Sequence, residues 1–140
     1  MVDNERLVRL LDGVRRDVRV LRDLSASGEE LPSDEVRLSA VKYRFITAIE
    51  GCAKVAHHVV AAEGWAAPET NAGAVRELAE HGVIAQPVSE AIARAVGFRN
   101  LLVHRYADID DNRVVDRLND LDDLDAFVAQ VGTWLLTASA

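Results

Sequence analysis

One stretch of this 140-residue chain concentrates side chains that can move protons and grip anions. Residues 97–106 read GFRNLLVHRY and set Arg99, Asn100, His104 and Tyr106 into an otherwise apolar setting. On a helix Asn100 and His104 stand four apart and share a face, Arg99 adjoins Asn100, and Tyr106 lies seven beyond Arg99, so one edge can present all four. Histidine titrates near neutral pH, arginine stays charged and offers a planar fork of donors, and asparagine can orient an imidazole or a substrate. Such a set suits metal-free cleavage of an RNA phosphodiester. That reaction needs a base for the 2'-hydroxyl, positive charge for the crowded phosphate and an acid for the leaving oxygen. One chain supplies the base and the charge but lacks the acid. A two-fold homodimer would bring a second His104 and Arg99 to the same cleft, so a dimeric site is expected.

The elements that must position these residues are helical. Leu7, Leu11, Val14, Val18 and Leu21 recur at three and four, predicting an amphipathic helix that ends before the Ser25, Ala26, Ser27, Gly28 run. Pro32, Ser33, Asp34 and Glu35 read as a helix start with Ser33 as N-cap. From there Leu38, Val41, Phe45, Ile49, Cys52, Val55 and Val59 carry a long second helix to Gly64. A loop over 65–70 precedes a short helix over 72–81 closed by Gly82. Pro87 opens a fourth helix that runs to His104 and bears the chemistry. Residues 108–112 form an acidic, turn-rich break, and Leu118, Leu121, Leu124, Val128, Val131 and Leu135 line a last helix. No period-two alternation long enough for a strand is present. The expected fold is an all-α, up-and-down bundle of four to five helices with short connections.

Composition narrows the function further. Hydrophobic residues make up 49% and charged residues 28%, ordinary for a globular domain, and the length suits one domain over residues 1–140. No apolar run approaches the ~18–20 residues needed to span a bilayer, and the charged N-terminus is not a secretion signal, so a cytoplasmic location is expected. Cys52 is the single cysteine and no Cys/His spacing resembles a zinc site, so neither a disulfide nor a metal is expected. The net charge of -7 argues against coating nucleic acid along the whole surface. Acids crowd residues 108–125, whereas Arg94, Arg99 and Arg105 gather just before them, so any RNA chemistry must be local.

At residues 97–106 the chain resembles the HEPN superfamily and, more closely, its HepT branch, whose signature of Arg, a polar residue, a few variable residues, His, one residue and Tyr is met by Arg99, Asn100, His104 and Tyr106. The likeness continues in the N-terminal helix, in FITAIE at 45–50, in RELAEHGVI at 76–84 and in the acidic final helix, although only the motif is specific. The resemblance implies a HEPN-type bundle and a toxin that cleaves RNA at a dimer interface without metal or cofactor. Arg99, Asn100 and His104 would be the catalytic residues. It also implies a partner, an MntA-like antitoxin with a minimal nucleotidyltransferase fold, that transfers AMP to Tyr106. A phosphate added two residues from His104 would pair with Arg99 and occupy the place of the substrate phosphate.

Blander readings stand beside these. Arg99 and His104 five apart on a helix also fit a structural ion pair at a helix end. Glu50, between Ile49 and Gly51 on a largely apolar face, either pairs with Arg99 or Arg94 across the bundle or stands solvated. His57 and His58 splay about 100° apart, which is wrong for joint metal ligation, and Cys52 reads as a packed thiol. Trp134 and Phe127 read as packing, with Trp65 in a loop. Residues 120–125 read as a solvated helix start. A noncatalytic subunit that binds nucleotide or RNA for a partner nucleotidyltransferase, or a purely structural adaptor, would share the same fold.

Overall fold

In the computed structural model, which describes residues 3–26 and 31–138, Asp3 opens the first helix by accepting a hydrogen bond from the Arg6 backbone N–H at 3.1 Å. Helix α1 (Asn4–Ser25) buries Leu7, Leu11, Val14, Val18 and Leu21, the predicted stripe. Removing each such side chain from water contributes about 1.5–3 kcal/mol before the entropy of ordering is counted. Ser27 and Gly28, expected to close this helix, lie outside the described residues.

A 3-10 turn over Leu31–Ser33 leads into α2 (Glu35–Glu63). Its N-cap is Asp34, which accepts from Arg37 N at 3.1 Å, and not Ser33. Ser33 belongs to the preceding turn, and the ionised carboxylate is the better acceptor at a positive helix end. At the other end Gly64 adopts φ 73°, and the bonds from Gly64 N to Ala61 O and from Trp65 N to Val60 O complete a Schellman stop. Gly82 does the same after α3 (Asn71–Glu80), at φ 76° with Val83 N on Leu78 O.

Helix α4 (Gln86–His104) carries Pro87 in its first turn, as expected, and takes no side-chain cap. The Ala85 N–H before it donates instead to Gln130 Oε1 at 2.7 Å, tying its start to the last helix. The acidic break contains a helix that periodicity did not reveal: Asp110 caps α5 (Asp111–Asp116), and a 3-10 turn over Arg117–Asp120 joins it to α6 (Leu121–Ala138). Leu118 therefore sits in that turn rather than in the last helix, although Val114, Leu118 and Leu121 keep one buried line through all three pieces. Among the described residues there is no strand.

Helix α2 is the axis of the bundle: α1, α3, α4 and α6 all pack on it. Gly51 marks its closest approach to α1, because a β-carbon there would meet Val14 Cγ2 at 2.7 Å. One turn further along the crossing, buried Asp17 of α1 accepts from Thr47 Oγ1 at 2.7 Å and from Arg44 Nη1 at 3.0 Å. These contacts fix the face of α2 that carries Glu50 and so turn it toward α4. No helix among the described residues is long and apolar enough to cross a membrane.

Candidate functional site

Arg99 lies half-buried on α4, its guanidinium held from two sides. Nη2 donates to Glu50 Oε1 on α2 in a short charge-assisted contact, and Nη1 donates to Asn100 Oδ1 at 3.1 Å. Glu50 thus pairs with Arg99 rather than with Arg94. The Nε atom of Arg99 is buried and has no hydrogen-bond partner among the described residues. A buried donor without a partner costs about 1–3 kcal/mol, so the fold holds this guanidinium in a place that does not satisfy it fully. Asn100 and His104 are both exposed on the same helix, one turn apart. Asn100 accepts from Arg99 through its oxygen, which leaves both amide protons available to other groups.

Tyr106 departs from the expected shared edge. Helix α4 stops at His104, and Arg105 has φ -130° and ψ 35°, outside the helical range. Tyr106 follows in a turn held by Asp108 N and Ile109 N, which both donate to Arg105 O, at 3.0 and 2.8 Å. Its hydroxyl points at Ser39 O of α2, 3.5 Å away. Ser39 and Glu50 lie eleven residues apart on one face of α2, about three turns or roughly 16 Å. In this conformation the Tyr106 hydroxyl therefore lies by Ser39 and the Arg99 fork by Glu50, rather than on one shared edge. The reason is the end of α4: a helix continued to residue 106 would have kept the two side chains on one edge.

Lys42 is the residue that sequence reasoning missed. It is 7% exposed on α2, and its Nζ donates to the Tyr106 carbonyl at 3.1 Å, reaches Asp111 Oδ1 at 3.3 Å and lies 4.8 Å from the centre of the Tyr106 ring. The signal was its place between Val41 and Phe45 inside an apolar stripe, where lysine is seldom buried without partners.

The remaining candidates have structural roles. Cys52 is fully buried; that burial, followed by the nearby Asp17 carboxylate, pushes its thiol up well above the ordinary range. His57 Nε2 meets Asn71 Oδ1 at 2.9 Å, and His58 Nε2 accepts from Asp3 N at 3.1 Å, so the two imidazoles fasten different neighbours. Trp65 stacks on His81 with ring centres 3.8 Å apart, a contact that sequence pattern does not reveal. Phe127 is buried in the core and Trp134 packs against it. Within residues 120–125, Asp122 and Asp125 pair with Arg22 at 2.8 and 2.5 Å, and the hydrogen bond from Arg22 to Asp125 pushes that guanidinium up further.

Comparison with known proteins shows the family. The sequence model of the family described as ribonuclease HepT-like matches residues 14–131. The mRNA nuclease HepT of Shewanella oneidensis is 22% identical over 126 residues, which cover 89% of this chain and 95% of that protein. The tRNA nuclease HepT of Aphanizomenon flos-aquae is 35% identical over 69 residues, 49% of this chain and 47% of its own length. Among solved structures, the tri-AMPylated Shewanella oneidensis HEPN toxin in complex with MNT antitoxin superposes with a TM-score of 0.85 at 22% identity, over 95% of this chain and 99% of that one. The chain belongs to the ribonuclease HepT-like family.

Proposed function

We propose that this protein is the toxin of a toxin–antitoxin pair and a metal-independent endoribonuclease, with Arg99, Asn100 and His104 as its catalytic residues. The observation that carries the reading is the half-buried Arg99 fork, oriented by Glu50 and Asn100 and set just over one turn from an exposed His104. His104 takes the 2'-hydroxyl proton, and the 2'-oxygen attacks phosphorus. Arg99 stabilises the charge gathering on the phosphate oxygens. The 5'-oxygen leaves with a proton from the second His104 of a homodimer, and a 2',3'-cyclic phosphate remains. Four exposed apolar side chains favour a dimer through this end of the molecule: Val36 and Tyr43 flank Ser39 on α2, while Val103 and Tyr106 flank His104. The two named relatives act on mRNA and on tRNA, so the substrate class proposed is RNA without further distinction.

The regulator in this reading is an MntA-like, nucleotidyltransferase-fold antitoxin, the kind of partner bound to similar toxin chains in solved complexes. It transfers AMP to Tyr106: the phenol oxygen displaces pyrophosphate from ATP and loses its proton. The nucleotide acts by placing its bulk and negative charge at the turn that follows His104, against an Arg99 of the dimer. The direct test incubates unmodified protein and its His104→Ala variant with total cellular RNA in excess EDTA. Cleavage by the wild type alone supports the reading. Intact RNA from a verified, unmodified dimer replaces it with a noncatalytic RNA- or nucleotide-binding subunit.

A further inference from the structure

His104 is exposed, so packing does not place its imidazole; whatever holds the end of α4 must place it through the backbone. The turn that follows is held locally by the two bonds to Arg105 O, and it borders a cavity of about 470 Å³ lined by Pro32, Glu35, Ser39, Lys42, Tyr106 and Asp111. A segment lying against open space cannot be fixed by apolar contact alone. Ile109 anchors its far end in the core, and the Tyr106 hydroxyl touches Ser39 O at 3.5 Å, but the closest polar contact from α2 is the Lys42 ammonium, which grips the Tyr106 carbonyl and the ring face and also reaches Asp111 in the first turn of α5.

We propose that Lys42 is a positioning residue that fixes the His104–Tyr106 segment, and with it the catalytic imidazole and the modifiable hydroxyl; for its effect on catalysis this rests on the ribonuclease reading above. The charged group is what does this. A methionine would fill the same volume among Leu38, Val41 and Phe45 without the cost of burying an ammonium, but it could join neither the carbonyl nor the carboxylate. The grip on Tyr106 uses its carbonyl and its ring, and the hydroxyl that receives AMP keeps only its 3.5 Å contact with Ser39 O. Three elements meet at this one amine: the first third of the axial helix, the turn after α4 and the start of α5.

The test compares Lys42→Met, Lys42→Arg and Asp111→Asn with the wild-type full chain, reading amide hydrogen exchange and RNA cleavage together. Loss of a charge-assisted hydrogen bond raises the local opening equilibrium roughly tenfold. Lys42→Met is expected to speed exchange about tenfold at residues 104–109 while the rest of the chain is unchanged, with Lys42→Arg restoring protection and Asp111→Asn giving a smaller rise at the same amides. Cleavage should lose about tenfold in kcat with KM for RNA held within about threefold, the mark of a residue that positions the imidazole without touching substrate. Wild-type protection at 104–109 in Lys42→Met overturns the proposal, and so does a uniform rise across the molecule, which would make Lys42 a general packing residue. If the wild type itself leaves RNA intact, the ribonuclease reading fails, while the exchange comparison still decides whether Lys42 anchors the segment.

Discussion

Replacing Gly51 with alanine will destabilise this fold in the wild-type background and stabilise it once Val14 has been cut to alanine. The added β-carbon would stand 2.7 Å from Val14 Cγ2, against an optimal carbon–carbon separation of about 3.5–4.0 Å. Val14 is 1% exposed, and a valine in a helix has essentially one rotamer, so it cannot swing away and the helices must part by several tenths of an ångström. Such overpacking costs about 1–3 kcal/mol. Alanine in place of glycine in a helix interior returns about 1 kcal/mol, which leaves a net loss of up to about 2 kcal/mol. In the Val14→Ala background the clash disappears and the new methyl enters the vacated space, so the same substitution gains about 1 kcal/mol. Urea unfolding of the four proteins, followed by circular dichroism, resolves this, because 1 kcal/mol moves the midpoint by about 0.5 M at a slope near 2 kcal/mol per molar. A Gly51→Ala midpoint above wild type, or an equal fall in both backgrounds, refutes the argument that a close helix crossing requires glycine here.

Two further outcomes follow from the surroundings of Arg99 and the core. Glu50→Ala frees the guanidinium from its carboxylate, and a misplaced charge of this kind costs about 10–100-fold in kcat, with Glu50→Gln losing less and KM for RNA unchanged or lower; faster cleavage by Glu50→Ala would mean that Glu50 competes with the substrate phosphate rather than orienting Arg99. For Cys52 the thiol titrates higher in the fold than in the unfolded chain, so its contribution is fully present below about pH 8.5 and is lost as pH rises from there toward the higher folded value, at about 1.4 kcal/mol per pH unit. Urea midpoints at pH 7.5 and 9.5 should fall further for wild type than for Cys52→Ala, and equal falls would contradict that assignment.

The helical framework was legible because its periodicity and stops are local chemistry. The buried stripe of α1, the glycine stops at Gly64 and Gly82 and the Pro87 start all follow from side chains within a turn or two of their effect. The placement of α5 was not legible: six residues carry too short an apolar pattern to read, and Asp110 caps in a run of acids that also suits a turn. At the site, the pairing of Glu50 with Arg99 was open to inference as one of two partners, since a mid-helix acid on an apolar face needs a cation. The departure of Tyr106 from the shared edge was not, because it depends on where α4 ends. Beyond that end the chain unwinds at Arg105, and Tyr106 meets Lys42, sixty-four residues away in sequence. Contacts of that range leave no local pattern, and a lone lysine in a stripe is their only trace.

The most direct test of the central claim is cleavage of a defined RNA by the unmodified homodimer in excess EDTA, with the cut site mapped and the 3' ends identified. Wild-type protein is expected to leave a 2',3'-cyclic phosphate, with no cut at the same position when that nucleotide carries 2'-deoxyribose and none by His104→Ala. Equal cleavage by His104→Ala, or cleavage that survives the 2'-deoxy substitution, would contradict an imidazole-driven attack by the 2'-hydroxyl.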